Sequence, residues 1–395
     1  MLELYFARDK VVAQSQKAGT QINMATGAGL EGVVATQSRL CYIDGDIGLL
    51  SYQGYRIETL AEHATFEEVI FLLWHGRLPK QAELEELKVA LVVNRPLPSD
   101  VDAFLKSVGR GSPMHVLRTA VSMLALDDAD ANDVTVAGAA KKAIRLMAQT
   151  ATIVTSFDRL RNGKGVVPGD PKLSFAGNFL YTLTGKKPDD VMEHAFDIAL
   201  ILHAEHELNA STFAARVIAA TLSDIYSAVT GAIGALRGPL HGGANEAVIQ
   251  MLLAAGSPAK ALEHVKGMLA SKQKVPGFGH RVYHTLDPRA TSLKGMAEEL
   301  GKRTGHEELF HASSDIEKYV KETKNLNANV DFYSASTYYS LGIPVDLFTP
   351  IFAVSRMSGW TAHILEQYEN NRLIRPRAEY LGPTVGQKWV AMDLR

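Results

Sequence analysis

Apolar residues return at helical spacing along most of this 395-residue chain, and that period restricts it to a mainly α fold before any other feature is weighed. Thr65-Phe66-Glu67-Glu68 has the form of a capping box, Ile70, Leu73 and Trp74 follow it at helical spacing, and Gly76 with Pro79 marks a stop. Ser112-Pro113 opens another helix whose stripe is Met114, Leu117, Val121 and Leu124, and Leu84, Leu87 and Leu91 mark a third between the two. Further periodic segments run over about 133–158, 189–235, 243–270, 290–303, 314–324, 334–341 and 349–369. The one hairpin-like piece is RLCYIDGDIGLLSYQGY, where Asp44-Gly45 turns between short apolar runs. It is too small to define the fold.

A chain of this length exceeds one ordinary core, and about 150 residues per domain gives two or three domains. No repeat or low-complexity linker divides it, so borders fall at interruptions near Gly238-Pro239 and Asn329–Ser334. The piece between them reads as a smaller domain inserted into a larger one. Hydrophobic residues make up 46% and 41 Lys+Arg nearly balance 43 Asp+Glu, a soluble globular balance that implies neither a nucleic-acid nor a membrane partner. Cys41 is the single cysteine, so no intrachain disulfide forms; it reads as a small buried apolar side chain in a reducing compartment. The charged N-terminus carries no apolar core of signal-peptide length, and no apolar run reaches the roughly 20 residues of a bilayer span. A cytoplasmic protein is expected.

Several stretches carry chemistry. GAGLEG at Gly27–Gly32 matches the dinucleotide fingerprint in letters, but no strand precedes it and no helix start follows, which removes it. HAEHE sets His203 and His206 one helical turn apart; zinc would need a third ligand at a recognisable spacing, and helix packing is the other reading. RGPLHGGANEAV holds His241 between a proline and two glycines ahead of a helix, where free N–H groups favour an anion or a developing oxyanion. VPGFGHRVYHTLDPRA repeats the theme: His280 follows Gly277 and Gly279, and Arg289 stands at the next helix start, suited to an acidic, carbonyl-bearing ligand. From Leu347 to Leu365, Arg356 is the only formal charge, so it must meet either an internal carboxylate or a bound anion. Asp331, between Val330 and Phe332, fits a general base with a raised pKa or the N-cap of the helix that follows.

ILHAEHELNASTFAARV, GPLHGGANEAV, PGFGHRVY with DPR, NVDFYSA, FAVSRMSGWTAHILEQ and RLIRPRAEYLG, in this order, resemble the successive signatures of the citrate synthase family of the short bacterial and archaeal type, over about Gly29 to Gly382. The resemblance implies an all-α, two-domain homodimer, with 29–237 and 335–395 as large domain, 238–334 as small domain, and residues 1–28 as an extension of no assigned function. It implies the condensation of acetyl-CoA with oxaloacetate and water to citrate and CoA, with acetyl-CoA as co-substrate and no permanently bound cofactor or metal. Asp331 would take a proton from the acetyl methyl, His241 would donate to the thioester oxygen, and His280 would polarise the ketone. Arg289, Arg356 and Arg375 would hold carboxylates, Arg375 reaching across the dimer, and His206 would add a hydrogen bond. The backbone of Val275, Pro276, Gly277, Phe278 and Gly279 would face adenine, with Lys272, Lys274 and Arg281 as phosphate partners. His284 stands where relatives usually carry Lys or another long polar residue. Three rival readings are 2-methylcitrate synthase acting on propionyl-CoA, a non-catalytic CoA-binding regulatory paralogue, and a zinc hydrolase.

Overall fold

The computed structural model describes residues 28–30 and 32–395; most of the extension over 1–28, and Gly27 of GAGLEG, lie outside the described residues. The described part up to Ser38 carries one 3-10 turn, Ala28–Leu30, and residues 39–395 form a separate unit, to which everything below refers.

The expected hairpin is present and gains a third strand. β1 (Cys41–Asp44) pairs antiparallel with β2 (Leu49–Tyr52), which pairs with β3 (Tyr55–Arg56). The turn spans 45–48 and is closed by Asp44, whose Oδ1 accepts from the backbone N–H groups of Asp46 (3.0 Å) and Ile47 (3.3 Å).

Sixteen α-helices follow among the described residues: α1 (Ile57–His63), α2 (Phe66–His75), α3 (Gln81–Val93), α4 (Ser99–Ser107), α5 (Pro113–Met123), α6 (Val136–Arg161), α7 (Phe175–Thr184), α8 (Asp190–His203), α9 (Ala210–Ala219), α10 (Ile225–Leu236), α11 (Ala244–Ala254), α12 (Pro258–Ala270), α13 (Pro288–Thr304), α14 (Glu307–Lys324), α15 (Val330–Ser340) and α16 (Phe348–Glu369). The Thr65–Glu68 capping box forms at α2, and Gly76 ends that helix in the left-handed region at φ 73°. Pro113 sits in the first turn of α5, where its missing N–H deprives the helix of nothing. The segment read as periodic over 189–235 is three helices, and 243–270 is two.

α16 organises the core. Every residue from Phe348 to Leu365 is buried, as a helix apolar on all sides must be, and α2, α6, α8, α9 and α10 pack around it. α11 to α15 form a second group, with α13 and α15 in close contact and α13 also resting on α8 and α1. The chain therefore returns from α15 directly into the central helix.

Candidate active site

A cavity of about 440 Å³ opens where α15, α16, the turn after α8, the loop before α11 and the loop before α13 meet. His206, His241, His280, Arg289, Asp331 and Arg356 all line it, although they come from segments up to 150 residues apart by number, Arg356 minus His206.

His241 follows the C-terminal turn of α10, where its own N–H bonds to Gly238 O (2.9 Å). The Ser211 backbone N–H donates to Nε2 of His241 (3.3 Å), and Ser211 Oγ lies 2.8 Å from the same nitrogen. A backbone amide can only donate, so Nε2 is unprotonated and Nδ1 carries the hydrogen. Ser211 is itself fixed, accepting from Trp360 Nε1 (3.1 Å) and lying 2.7 Å from Asn209 Oδ1. Burial, helped by the Arg356 charge, lowers the His241 pKa to about 4. The ring is a neutral donor at neutral pH.

His280 is set by the same logic with the opposite tautomer. Its Nδ1 accepts two backbone N–H groups, from Val282 (3.0 Å) and Tyr283 (3.1 Å), which leaves the hydrogen on Nε2. Burial and then Arg289 lower its pKa to about 4, against the opposing charge of Asp287. The preceding Gly277–Gly279 segment is tied to the chain before α15: Gly279 N–H donates to Asn327 O (3.0 Å) and Asn329 N–H to Gly277 O (2.9 Å). That pairing carries the His280 loop and the Asp331 helix as one piece.

Asp331 is the second residue of α15. The N-cap is Asn329, whose Oδ1 accepts from the Asp331 N–H at 3.1 Å, so the N-cap alternative for Asp331 gives way to the residue two places earlier. Its Oδ1 is buried with no hydrogen-bond partner among the described residues. Burial raises the carboxyl pKa to about 6, while Arg289 and Arg356 pull it down. An acceptor without a donor in such a place is a base awaiting a proton.

The arginines differ in how far they are matched. Arg289 is 3% exposed and makes a two-pronged ion pair with Asp287, Nε to Oδ1 at 2.9 Å and Nη2 to Oδ2 at 2.8 Å. Burial opposes its charge, but Asp287 outweighs that and raises its pKa. Asp287 also caps α13 and accepts from the Val330 N–H (3.0 Å), which couples the arginine to the helix of Asp331. Arg356 is 1% exposed; its Nε donates to His203 O (2.7 Å), its guanidinium lies 4.7 Å from the Phe352 ring centre, and its Nη2 has no hydrogen-bond partner among the described residues. Burial lowers its pKa, opposed chiefly by nearby Glu205. The Glu205 carboxylate, however, bonds His363 Nε2 at 3.0 Å. Glu205 Oε2 and Arg356 Nη2 are both left without a hydrogen-bond partner among the described residues, so the internal carboxylate does not satisfy Arg356, which lines the cavity.

His206 is held at 3.2 Å from the Tyr283 hydroxyl, and burial with Arg289, His280 and Arg356 keeps its pKa well below the ordinary value. His203, one turn earlier, donates Nδ1–H to Ala199 O (2.7 Å). Most of the remaining expected residues fall outside this cluster. Arg375 is exposed in the segment after α16, and Lys272 and Lys274 are exposed. Gly279 and Arg281 line the cavity, whereas Val275, Pro276, Gly277 and Phe278 do not.

Sequence reasoning missed Asp287, Ser211, Asn329 and Tyr283, each of which orients a residue it found. Asp287 and Asn329 had a signal, an Asp or Asn immediately ahead of a helix start. Ser211 and Tyr283 had none, since their partners are distant or ring nitrogens.

The sequence model described as citrate synthase, C-terminal domain, matches residues 29–377. Citrate synthase 2 of Bacillus subtilis (strain 168) is 53% identical over 376 residues, 94% of this chain and 100% of the relative. The 2-methylcitrate synthase of Shewanella oneidensis is 42% identical over 359 residues, 90% of this chain and 95% of that one. Among solved structures, the ternary complex of carboxymethyl coenzyme A and oxaloacetate with citrate synthase from the thermophilic archaeon Thermoplasma acidophilum aligns with a TM-score of 0.86 at 34% identity, covering 93% of this chain and 98% of the other. Matched across nearly its whole described length by sequence and by fold, the chain belongs to the citrate synthase family.

Proposed function

We propose that the protein is a citrate synthase that condenses acetyl-CoA with oxaloacetate and water to give citrate and CoA, in the first committed step of a tricarboxylic acid cycle. The observation that carries this reading is the convergence of one unpartnered buried carboxylate and two neutral imidazole donors on a cavity lined by two buried arginines.

The chemistry follows from those groups. Asp331, with a pKa of about 6, is mostly ionised at neutral pH and takes a proton from the thioester methyl. That C–H is far too weakly acidic for a carboxylate alone, so charge building on the thioester oxygen must be met by His241 Nδ1–H, a term worth about 3 to 4 kcal/mol for one preorganised donor. The enol or enolate attacks the oxaloacetate ketone carbon, and His280 Nε2–H donates to the ketone oxygen as it becomes a hydroxyl. Arg289, Arg356 and His206 hold the carboxylates, and water then cleaves citryl-CoA. Neutral histidines matter here, because a cationic ring would give up its proton before the carbon acid did.

Arg375, exposed on its own chain, serves the site of a second copy in a homodimer. The backbone of 275–279 receives adenine, and Lys272, Lys274 and Arg281 meet CoA phosphates. Residues 238–334 act as a small domain closing on 29–237 and 335–395, excluding water before condensation. No described helix is long and apolar enough to cross a membrane, and we infer a cytoplasmic enzyme.

The test is thiol release from acetyl-CoA plus oxaloacetate by the wild type and by Asp331→Ala. Loss of at least about 100-fold in the variant is expected; unchanged release overturns the assignment and revives a non-catalytic role. The Shewanella oneidensis relative named 2-methylcitrate synthase supports a second reading in which propionyl-CoA is the substrate. One methylene is worth only roughly 1 to 3 kcal/mol, so kcat/KM for the two acyl-CoAs decides, and we expect acetyl-CoA to win.

A further inference from the structure

We infer that the β1–β2 hairpin is a spacer that sets His280 against His206, and that Gly45 is a positioning residue acting through the backbone of 282–284. The inference rests on the proposed oxaloacetate chemistry, which gives His280 its task, and adds to it an element outside the cavity's histidine and arginine set.

The hairpin is attached at both ends to segments that carry these two histidines. At its base, the Tyr52 side chain is fully buried; its hydroxyl donates to Glu205 O (2.9 Å) and accepts from the Glu205 N–H (3.3 Å), one residue before His206. At its tip, Gly45 O accepts from the His284 N–H at 2.9 Å. One and two residues back along that loop are the Tyr283 and Val282 amides that fix the His280 tautomer, and the Tyr283 hydroxyl reaches His206 Nε2. The His206 and His280 rings end 5.3 Å apart between centres.

The contact at the tip leaves no room for a side chain. A Cβ on Gly45 would stand 1.9 Å from Val282 O, and one on Gly48 would stand 2.8 Å from Leu286 O and 2.9 Å from Thr285 Cγ2. Both obstacles include backbone carbonyls, which cannot swing aside as a long side chain does. Any side chain at position 45 must push the 282–284 segment, and with it the two amides that hold His280 Nδ1. The hydrogen then has no reason to stay on Nε2, and the donor aimed at the ketone is lost.

Gly54 supplies an internal control. It lies at the other turn of the sheet with φ 85°, and a Cβ there meets nothing within 4 Å. Gly48 shares its positive φ (67°) but faces the loop, so the pair separates strain within the hairpin from contact across it. Gly45 needs no positive φ, so its substitution acts through the contact alone.

The experiment compares wild type, Gly45→Ala, Gly48→Ala and Gly54→Ala in kcat, KM for oxaloacetate, and the infrared stretch of the ketone of bound, carbon-13-labelled oxaloacetate. A hydrogen bond from His280 lowers that stretch relative to free ligand. The expected result is a lowered stretch in wild type and Gly54→Ala, and loss of the lowering in Gly45→Ala and Gly48→Ala. With it, kcat falls about 10- to 100-fold, as misplacing one catalytic donor does, while KM for oxaloacetate, set by the arginines, moves less than about threefold. Should Gly45→Ala fail to fold, Gly48→Ala carries the test. Full lowering and full kcat in a folded Gly45→Ala or Gly48→Ala overturn the spacer role and leave the proposed function standing, as does an equal loss in Gly54→Ala. No lowering in the wild type removes the oxaloacetate reading itself, and the inference with it.

Discussion

Asp331→Asn makes the protein inactive and more stable at the same time. Burial raises this carboxyl from its ordinary 3.8 to about 6, so holding it ionised in the folded, substrate-free protein costs about 3 kcal/mol relative to the unfolded chain. The sign follows from the direction of the rise. An acid whose folded pKa lies above its unfolded one destabilises the fold fully above the folded value and not at all below the unfolded one. Asparagine keeps the shape and carries no charge, so the variant should exceed the wild type in stability by up to about 3 kcal/mol at pH 8. The gain should fade between pH 6 and pH 4. Urea midpoints of both proteins at pH 8 and pH 4 read the difference, and the same samples should show thiol release reduced by at least about 100-fold. A variant no more stable than wild type at pH 8, or equally stabilised at both pH values, would refute the claim that a buried, unmatched charge sits at Asp331.

The pH profile of kcat/KM should show an acid limb near pH 6, falling tenfold per pH unit below it as Asp331 is protonated, with no limb from His241 or His280 until about pH 4. Asp287→Ala leaves Arg289 buried without its anion and α13 without its cap, and should lower stability by about 3 to 5 kcal/mol, read as a reduced urea midpoint. Arg356→Gln removes a buried cation with unmatched donors; KM for oxaloacetate should rise roughly 10- to 100-fold, from a charge-assisted bond of about 1.5 to 3 kcal/mol, while the substrate-free protein loses little stability.

Much of this arrangement was legible because it is local. The Thr65–Glu68 box, Pro113 in a first turn and the lone Arg356 in an apolar helix are all statements about neighbours within a turn or two. The boundaries inside 189–235 were not legible, since apolar periodicity continues up to the turns at 204–209 and 220–224 that divide it. Helices α1, α4 and α7 also escaped notice: at seven to ten residues they are too short for periodicity to stand out. At the site, His241, His280 and Asp331 announced themselves by their flanking glycines or apolar neighbours. Their protonation states did not, because Ser211 and the 282–283 amides define them only in three dimensions. Likewise the glycine at 45 reads as a turn residue, and its close approach to Val282 O exists only after the chain has closed on itself.

The most direct measurement is a structure with oxaloacetate and an unreactive acetyl-CoA analogue bound together. The account predicts one dicarboxylate held by Arg289, Arg356 and Arg375 of a second copy, the Asp331 carboxylate about 3 to 3.5 Å from the methyl carbon of the acyl group, His241 Nδ1 on the acyl oxygen and His280 Nε2 on the ketone. Asp331 turned away from that carbon, or the two histidines on other atoms, would contradict it.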